Sequence, residues 1–269
     1  MPPLNLLRLL VVLVLCCASC VPSRADLIIA TPSGLSLGNQ FRIVFLTNGV
    51  TQATSSDIGY YNTFVNNNAI SQAGGSGNNV VYGNTVLTWT AIASTYEVSA
   101  ITNIGSFGVP VYTASGTLIT PSDTASGLWS GSLLAPINQF LTSPVFFDTG
   151  VWTGTLQNGT AAGSFTLGSG SGFGSIPGLS NKTNAEWVET GATPSSFTNN
   201  MYGISQVLTA VPEPSTYAMA LAGVACGGFS MWRRRKRARP ARRPSLPSAI
   251  TRPSAPKPTG VTLRSCRPQ

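Results

Sequence analysis

Apolar and polar residues alternate in short runs through the middle of the chain. The runs are FRIVFLT (41–47), TVLTWTAIA (85–93), VPVYT (109–113), TLIT (117–120), PVFFDT (144–149), VWTGT (151–155), AEWVET (185–190) and MYGISQVLTAV (201–211). They are β-branched and aromatic and are separated by turn residues, which predicts short strands. SQAGGSGNNV (71–80) and LGSGSGFGSIPG (167–178) predict loops. One stretch, SSDIGYYNTFVNNNAI, leaves the period of two. In it Ile58, Tyr61, Val65 and Ile70 fall near one face at helical spacing, flanked by Tyr60 and Phe64. Ser55 or Ser56 is a good N-cap, and Asp57 in the first turn favours the helix dipole. The spacing predicts a helix over about 56–67. Asn and Gly are weak helix formers, so packing must hold it.

Both ends carry a longer apolar run. Arg8 stands before an apolar core of about ten residues, 9–18. As a helix that core is roughly 15 Å long, too short for a hydrocarbon layer of about 30 Å. It predicts a secretory signal peptide over 1–25, with the small residues Ser23 and Ala25 before a cleavage point after Ala25. A lipoprotein site at Cys20 would want a branched apolar residue where Cys17 stands, and an uncleaved anchor would need a longer run. At the other end, residues 217–232 are sixteen residues without a charge. At roughly 24 Å they reach the short limit for spanning, with Trp232 suited to the interface. A transmembrane helix is predicted over 216–232. Gly223 and Gly227, with Ala218, Ala222 and Ala225, would give it a smooth face that another helix can approach closely. Arg233, Arg234, Arg235, Lys236 and Arg237 follow as a stop-transfer cluster that stays cytoplasmic. The tail 238–269 is rich in Pro, Ser and Arg and is predicted to be disordered.

Charge is distributed just as unevenly. The chain has 269 residues and a net charge of +8, but residues 26–210 hold two basic against seven acidic residues, a net of −5. The basic excess belongs to the tail and directly follows an apolar run, which favours a membrane role over a nucleic-acid one. The five cysteines, Cys16, Cys17, Cys20, Cys226 and Cys266, all lie outside 26–210, and the chain has no histidine. The middle therefore has no disulfide framework or thiolate metal site, and Ser-His-Asp, Cys-His and His-metal chemistry are excluded. No cofactor is expected. Residues 26–210 are the size of one domain.

Before the C-terminal apolar run the chain reads Val211-Pro212-Glu213-Pro214-Ser215. Two prolines hold the backbone extended and remove two amide donors, which suits a peptide bound by a protease or transpeptidase. Pro-Glu-Pro, a short apolar helix and an Arg cluster, in that order, resemble the PEP-CTERM sorting signal of bacterial exported proteins. The resemblance divides 211–237 into a motif (211–215), a helix (216–232) and the cluster (233–237). It implies recognition of Pro212, Glu213 and Pro214 by a membrane-embedded exosortase, after signal peptidase and the export machinery have acted at the other end. The bland alternative is a plain tail anchor. The family usually ends soon after the arginines, and the continuation 238–269 departs from it.

The middle segments also resemble a family. RIVFLT, ATSSDIGYYNTFV, LTWTAIAST, GVPVYTASGTLIT, LWSGSLLAPIN and VWTGTLQNGT follow one another as in the C-type-lectin-like domain of bacterial surface proteins. Leu128, Gly131, Leu133, Pro136 and Ile137 match its loop motif; Val151-Trp152-Thr153-Gly154-Thr155 and Gly159 match its strand and turn. The resemblance implies an α+β fold, loop-rich, of short antiparallel strands with one or two helices; an all-β sandwich is the alternative. The family's cysteines and its calcium motifs are missing, so calcium and sugar binding do not carry over. Trp89, Trp129, Trp152 and Trp187 are expected in the core, with exposed glycan-stacking platforms as the alternative. Glu186 and Glu189 would point to opposite faces of a strand, and Asp123 sits in a turn-like loop where Asp caps backbone. No carboxylate pair has a glycosidase setting. The expectation is a non-catalytic cell-surface or matrix protein, with extracellular polysaccharide as a candidate partner; a carbohydrate-binding module and, less favoured, a carboxylate-dependent hydrolase are the alternatives.

Overall fold

A computed structural model describes residues 26–143, 147–170 and 172–211. The predicted signal peptide, transmembrane helix and tail lie outside the described residues. All of the described residues belong to one compact unit, Met1–Ala218; the second, Met219–Gln269, lies outside them.

The chain opens with strands β1 (Leu27–Ile28), β2 (Gln40–Leu46) and β3 (Thr51–Gln52), followed by helix α1 (Ile58–Gln72). Next come β4 (Val80–Tyr82), β5 (Thr85–Val86), β6 (Trp89–Ala91) and the short helix α2 (Ala100–Ile104). Strands β7 (Val111–Thr113), β8 (Leu118–Thr120), β9 (Gly150–Trp152) and β10 (Pro177–Leu179) follow, and β11 (Thr198–Asn199), β12 (Tyr202–Ser205) and β13 (Leu208–Thr209) close the domain. Single 3-10 turns lie at Gly163–Phe165 and Ala185–Trp187. The architecture is thus mostly short strands and loops, with few helices.

The main sheet has the order β6-β12-β2-β7-β8, with β13 also on β2. β2 is antiparallel to β12 and parallel to β7. It is the longest strand among the described residues, buried from Phe41 to Leu46, and its alternation serves two cores. Phe41, Ile43 and Phe45 enter the first, with Tyr61, Val65 and Ala69 of α1. Val44 and Leu46 enter the second, with Trp129, Trp187 and Tyr202. The helix lies close on the sheet because position 203 is glycine: a Cβ there would collide with Phe45 and Val65.

Arg42 must then point to the side of Val44 and Leu46. It is 2% exposed and its Nη1 meets Asp123 Oδ2 at 3.2 Å. Its Nε donates to the Ser205 carbonyl (2.7 Å) and Nη1 also to that of Ile104 (2.9 Å), while the exposed Phe107 ring lies 5.4 Å away. Burial pulls the guanidinium pKa down, and the hydrogen bond and charge of Asp123 oppose the shift. The other oxygen of Asp123 accepts the amides of Phe107, Gly108 and Val109.

Several predicted elements change. The helix runs Ile58–Gln72 rather than 56–67, and its N-cap is Asp57, whose carboxylate accepts from the Gly59 amide. Ser55 instead brackets Tyr61: its amide donates to the phenol and its carbonyl accepts from it. The helix continues beyond Asn67 because Asn68 and Gln72 find buried partners. Asn68 Oδ1 accepts the amides of Asn48 and Gly49, and Gln72 bonds the Leu46 carbonyl and the Leu141 amide. AEWVET is a 3-10 turn, not a strand: the Trp187 amide bonds the Asn184 carbonyl, burying the indole. The described part of PVFFDT, residues 147–149, is not strand either; the Thr149 amide turns to the Ser180 hydroxyl.

Two predictions follow from this core. Asp123→Ala strands the Arg42 charge and three amides; loss of one partner of a buried pair costs about 3–5 kcal/mol. Thermal unfolding should fall by about 10 °C, and by less for Asp123→Asn, which keeps an acceptor. Burial also raises the pKa of Tyr61 and of Tyr202, the latter wholly enclosed. A phenol whose folded pKa lies above its unfolded value stabilises fully below the unfolded value, about 10. That stability is lost as pH climbs through and beyond it. In an alkaline titration two tyrosines should ionise only together with loss of the near-UV circular dichroism; their ionisation in the intact fold would contradict the burial.

Candidate functional site

The chain leaves the domain at a tied-down point. β13 pairs with the start of β2 through Leu208 with Phe41 and Thr209 with Gln40. The Ala210 amide donates to the Asn39 carbonyl (2.8 Å), and the Gly38 amide returns a bond to the Ala210 carbonyl (2.9 Å). The Val211 amide then donates to the buried Tyr82 hydroxyl (3.1 Å). That hydroxyl shares a hydrogen with Thr31 Oγ1 (2.8 Å), and Thr31 Oγ1 reaches the Val211 carbonyl (3.3 Å). The ring joins the start of the domain, through Thr31, to its end. β1 pairs in parallel with β4, and the Asp26 carboxylate accepts the Asn79 amide (2.9 Å), so both ends sit at the same small sheet.

Pro212, Glu213, Pro214, Arg233, Arg234, Arg235, Lys236, Arg237 and Ala25 lie outside the described residues. Pro212 is the next residue after the clamp.

Trp89, Trp129, Trp152 and Trp187 are all buried, at 4, 3, 0 and 0% exposure. Trp152 Nε1 donates to the Thr51 carbonyl, and the Trp129 and Trp187 rings pack tilted by 33° with centroids 5.7 Å apart. This bears out the core expectation and takes the indoles away as glycan platforms. Glu186 is exposed and meets Lys182 at 3.6 Å, while Glu189 accepts the Gln157 amide at 2.6 Å. Asp123 is consumed by Arg42 and the 107–109 amides. Among the described residues no group of three His, Cys, Asp or Glu could hold a metal ion. Shallow clefts of about 420, 390 and 550 Å³ lie over Tyr60 and Phe64 of α1, in the Gly168–Gly174 loop and beyond Ser71. Asp57 is the one carboxylate lining any of the three.

Residues 210–236 match the family model of the PEP-CTERM protein-sorting motif. The chain carries a sorting signal. The match encloses Pro212 to Pro214 and the arginines up to Lys236, and begins at Ala210, inside the clamp. It marks an exported protein, anchored in the membrane by its C-terminal region and recognised and processed by an exosortase. A search of curated proteins finds no match to the chain. Among the described residues no helix is long and apolar enough to cross a membrane.

Sequence reasoning located the motif but missed its mounting. Thr31 and Tyr82 give no local signal, since their meeting with Val211 spans 180 and 129 residues. Tyr82→Phe removes the acceptor of the Val211 amide and should cost about 1 kcal/mol. Hydrogen exchange at Val211 should quicken several-fold while β2 stays protected; unchanged exchange would mean that the clamp holds no load.

Proposed function

We propose that the protein is a non-catalytic surface or extracellular-matrix protein whose loop-rich domain is delivered by exosortase processing at Pro212, Glu213 and Pro214. The observation that carries the reading is the abutment of motif and domain: hydrogen-bonded structure runs to Val211, and the sorting motif follows without a linker. Support for a non-catalytic role comes from carboxylates already engaged in structure. The domain is read as a C-type-lectin-like scaffold. In favour, Leu128, Leu133, Ile137, Val151 and Trp152 of the matching motifs are all buried, and Gly131, Gly154 and Gly159 take positive φ. At Gly159 a Cβ would strike the Trp129 ring, so the turn after VWTGT closes over the indole. Extracellular polysaccharide remains a candidate partner through surfaces other than the tryptophans.

Within the signal, Glu213 and the arginines divide the work. Glu213 is the only charged residue between Glu189 and Arg233. A lone carboxylate offers a membrane enzyme one charge to pair with, and selectivity against wrong partners. The arginines act through topology and anionic headgroups, at about 1 kcal/mol each, and five make that effect redundant. Glu213→Gln should therefore export and insert normally but accumulate uncleaved, membrane-held protein, read by mass spectrometry of the mature chain. Normal maturation of Glu213→Gln, with maturation blocked by Arg233→Ala alone, would overturn this division.

A further inference from the structure

The small sheet beside the exit turns an apolar face outward. Ile28 opposes Val81 across β1 and β4, and Val81 opposes Val86 across β4 and β5. Opposed residues share a face. Leu27, Val80 and Tyr82 line the other face and enter the first core. Ile28 is 67% exposed and Val86 52%. Leu37, 66% exposed, sits in the loop whose Gly38 bonds Ala210, and the side chain of Val211 lies against Gly83 in the β4–β5 turn. Residues 27–41, 80–87 and 206–212 contain no Asp, Glu, Lys or Arg. Single exposed apolar side chains are ordinary, but four around one chain exit, with no charge in these segments, form a surface.

The occupant follows from the length of chain beyond Val211. Five residues, 212–216, separate it from the uncharged run that starts at Tyr217. Fully extended they span at most about 18 Å. With the C-terminal region anchored, this face is leashed at the bilayer surface, and a leash turns weak contacts into a populated state. We propose that Ile28, Leu37, Val86 and Val211 rest on the headgroup and upper acyl region of the bilayer that holds the sorting segment. A lipid surface suits the face because aliphatic side chains there need no matching polar group, and the Asp26 carboxylate at its edge is already bonded to the Asn79 amide. Seated so, the domain delivers Pro212 at headgroup depth; once the leash is cut, four side chains are too few to hold the domain down, and it leaves. The proposal rests on the anchoring of the C-terminal region, and its test reads that anchoring separately.

The chain from Asp26 to Gln269, with Trp232→Phe to silence the tail indole, is reconstituted in phosphatidylcholine vesicles with or without brominated acyl chains. Flotation reports anchoring. An indole placed by Val86→Trp should lose about half of its emission to the brominated lipid, as expected for shallow insertion. One placed by Tyr96→Trp should not, since Tyr96 follows the Ala91 end of β6, remote from Gln40 and the exit. The native indoles of the domain are buried and form a constant background. Adding Ile28→Asn and Leu37→Asn should lower the Val86→Trp quenching about twofold or more as apolar area is removed. Floating protein whose Val86→Trp indole is quenched no more than the Tyr96→Trp one overturns the proposal alone. Quenching replaced by shielding only when exosortase is co-reconstituted assigns the face to the enzyme and overturns it too. Protein that fails to float overturns the anchoring, and the proposal with it.

Discussion

The guanidinium of Arg42 is a charge placed in the middle of the central strand, and the second core is arranged around satisfying it. Its acceptors come from three places far apart in sequence: Ser205 at the end of β12, Ile104 at the end of α2 and Asp123 after β8. Asp123 in turn fixes the 107–109 amides that lead into β7. An apolar residue at position 42 could match the pair in stability, since desolvation offsets much of its attraction. Register is a different matter. A slip of β2 by one residue would turn Arg42 into the first core, among Phe41, Ile43, Phe45 and α1, away from these acceptors. One buried cation therefore penalises the wrong pairing far more than it rewards the right one.

The rest of the loop-rich domain is fastened by neutral polar groups. With no cysteine in residues 26–210, loops are closed by amides and hydroxyls. Asn62 and Asn103 bond each other and clasp Ala91 through its amide and carbonyl. Asn200 spans the carbonyls of Thr47 and Gly49, and Thr153 bonds those of Ile176 and Val188. Buried loop backbone must find partners, and short strands leave many groups unpaired. The abundance of Asn, Ser and Thr, which in sequence reads as turn composition, is also the bonding capacity of the interior.

Legibility in the sequence followed how local each cause was. β2 was visible because its alternation and length are carried by seven adjacent residues, and the helix because Tyr61 and Val65 sit one turn apart. The tryptophans were placed in the core by their apolar and small neighbours. Failures came where a partner is remote. Asp57 took the cap because Ser55 was drawn to Tyr61, and α1 outran its predicted end because Asn68 and Gln72 had distant acceptors and donors. AEWVET looked like a strand because Trp and Val favour extended chain; burial of Trp187 against Trp129 and Tyr202 decided otherwise. Strands of two residues, such as β1, β3 and β11, exist only through their partners and have no periodicity to read.

The sorting motif was legible because a membrane enzyme must read it as linear chain, but its setting is a tertiary fact. An extended substrate loses backbone entropy on binding, roughly 1–2 kcal/mol per residue fixed. Prolines at 212 and 214 have already surrendered φ, and Val211 is held at both its amide and its carbonyl by Tyr82 and Thr31. The peptide before Glu213 thus has little freedom left to lose, and on the proposed reading the energy of recognition goes to that carboxylate. The same clamp sets a limit. Its bonds hold Val211, the last residue described, so a site that must grip the chain at or before Val211 has to open the Tyr82–Thr31 ring first. The clamp therefore lies inside the matched sorting region, which begins at Ala210, so Ala210 and Val211 belong to both the folded domain and the signal.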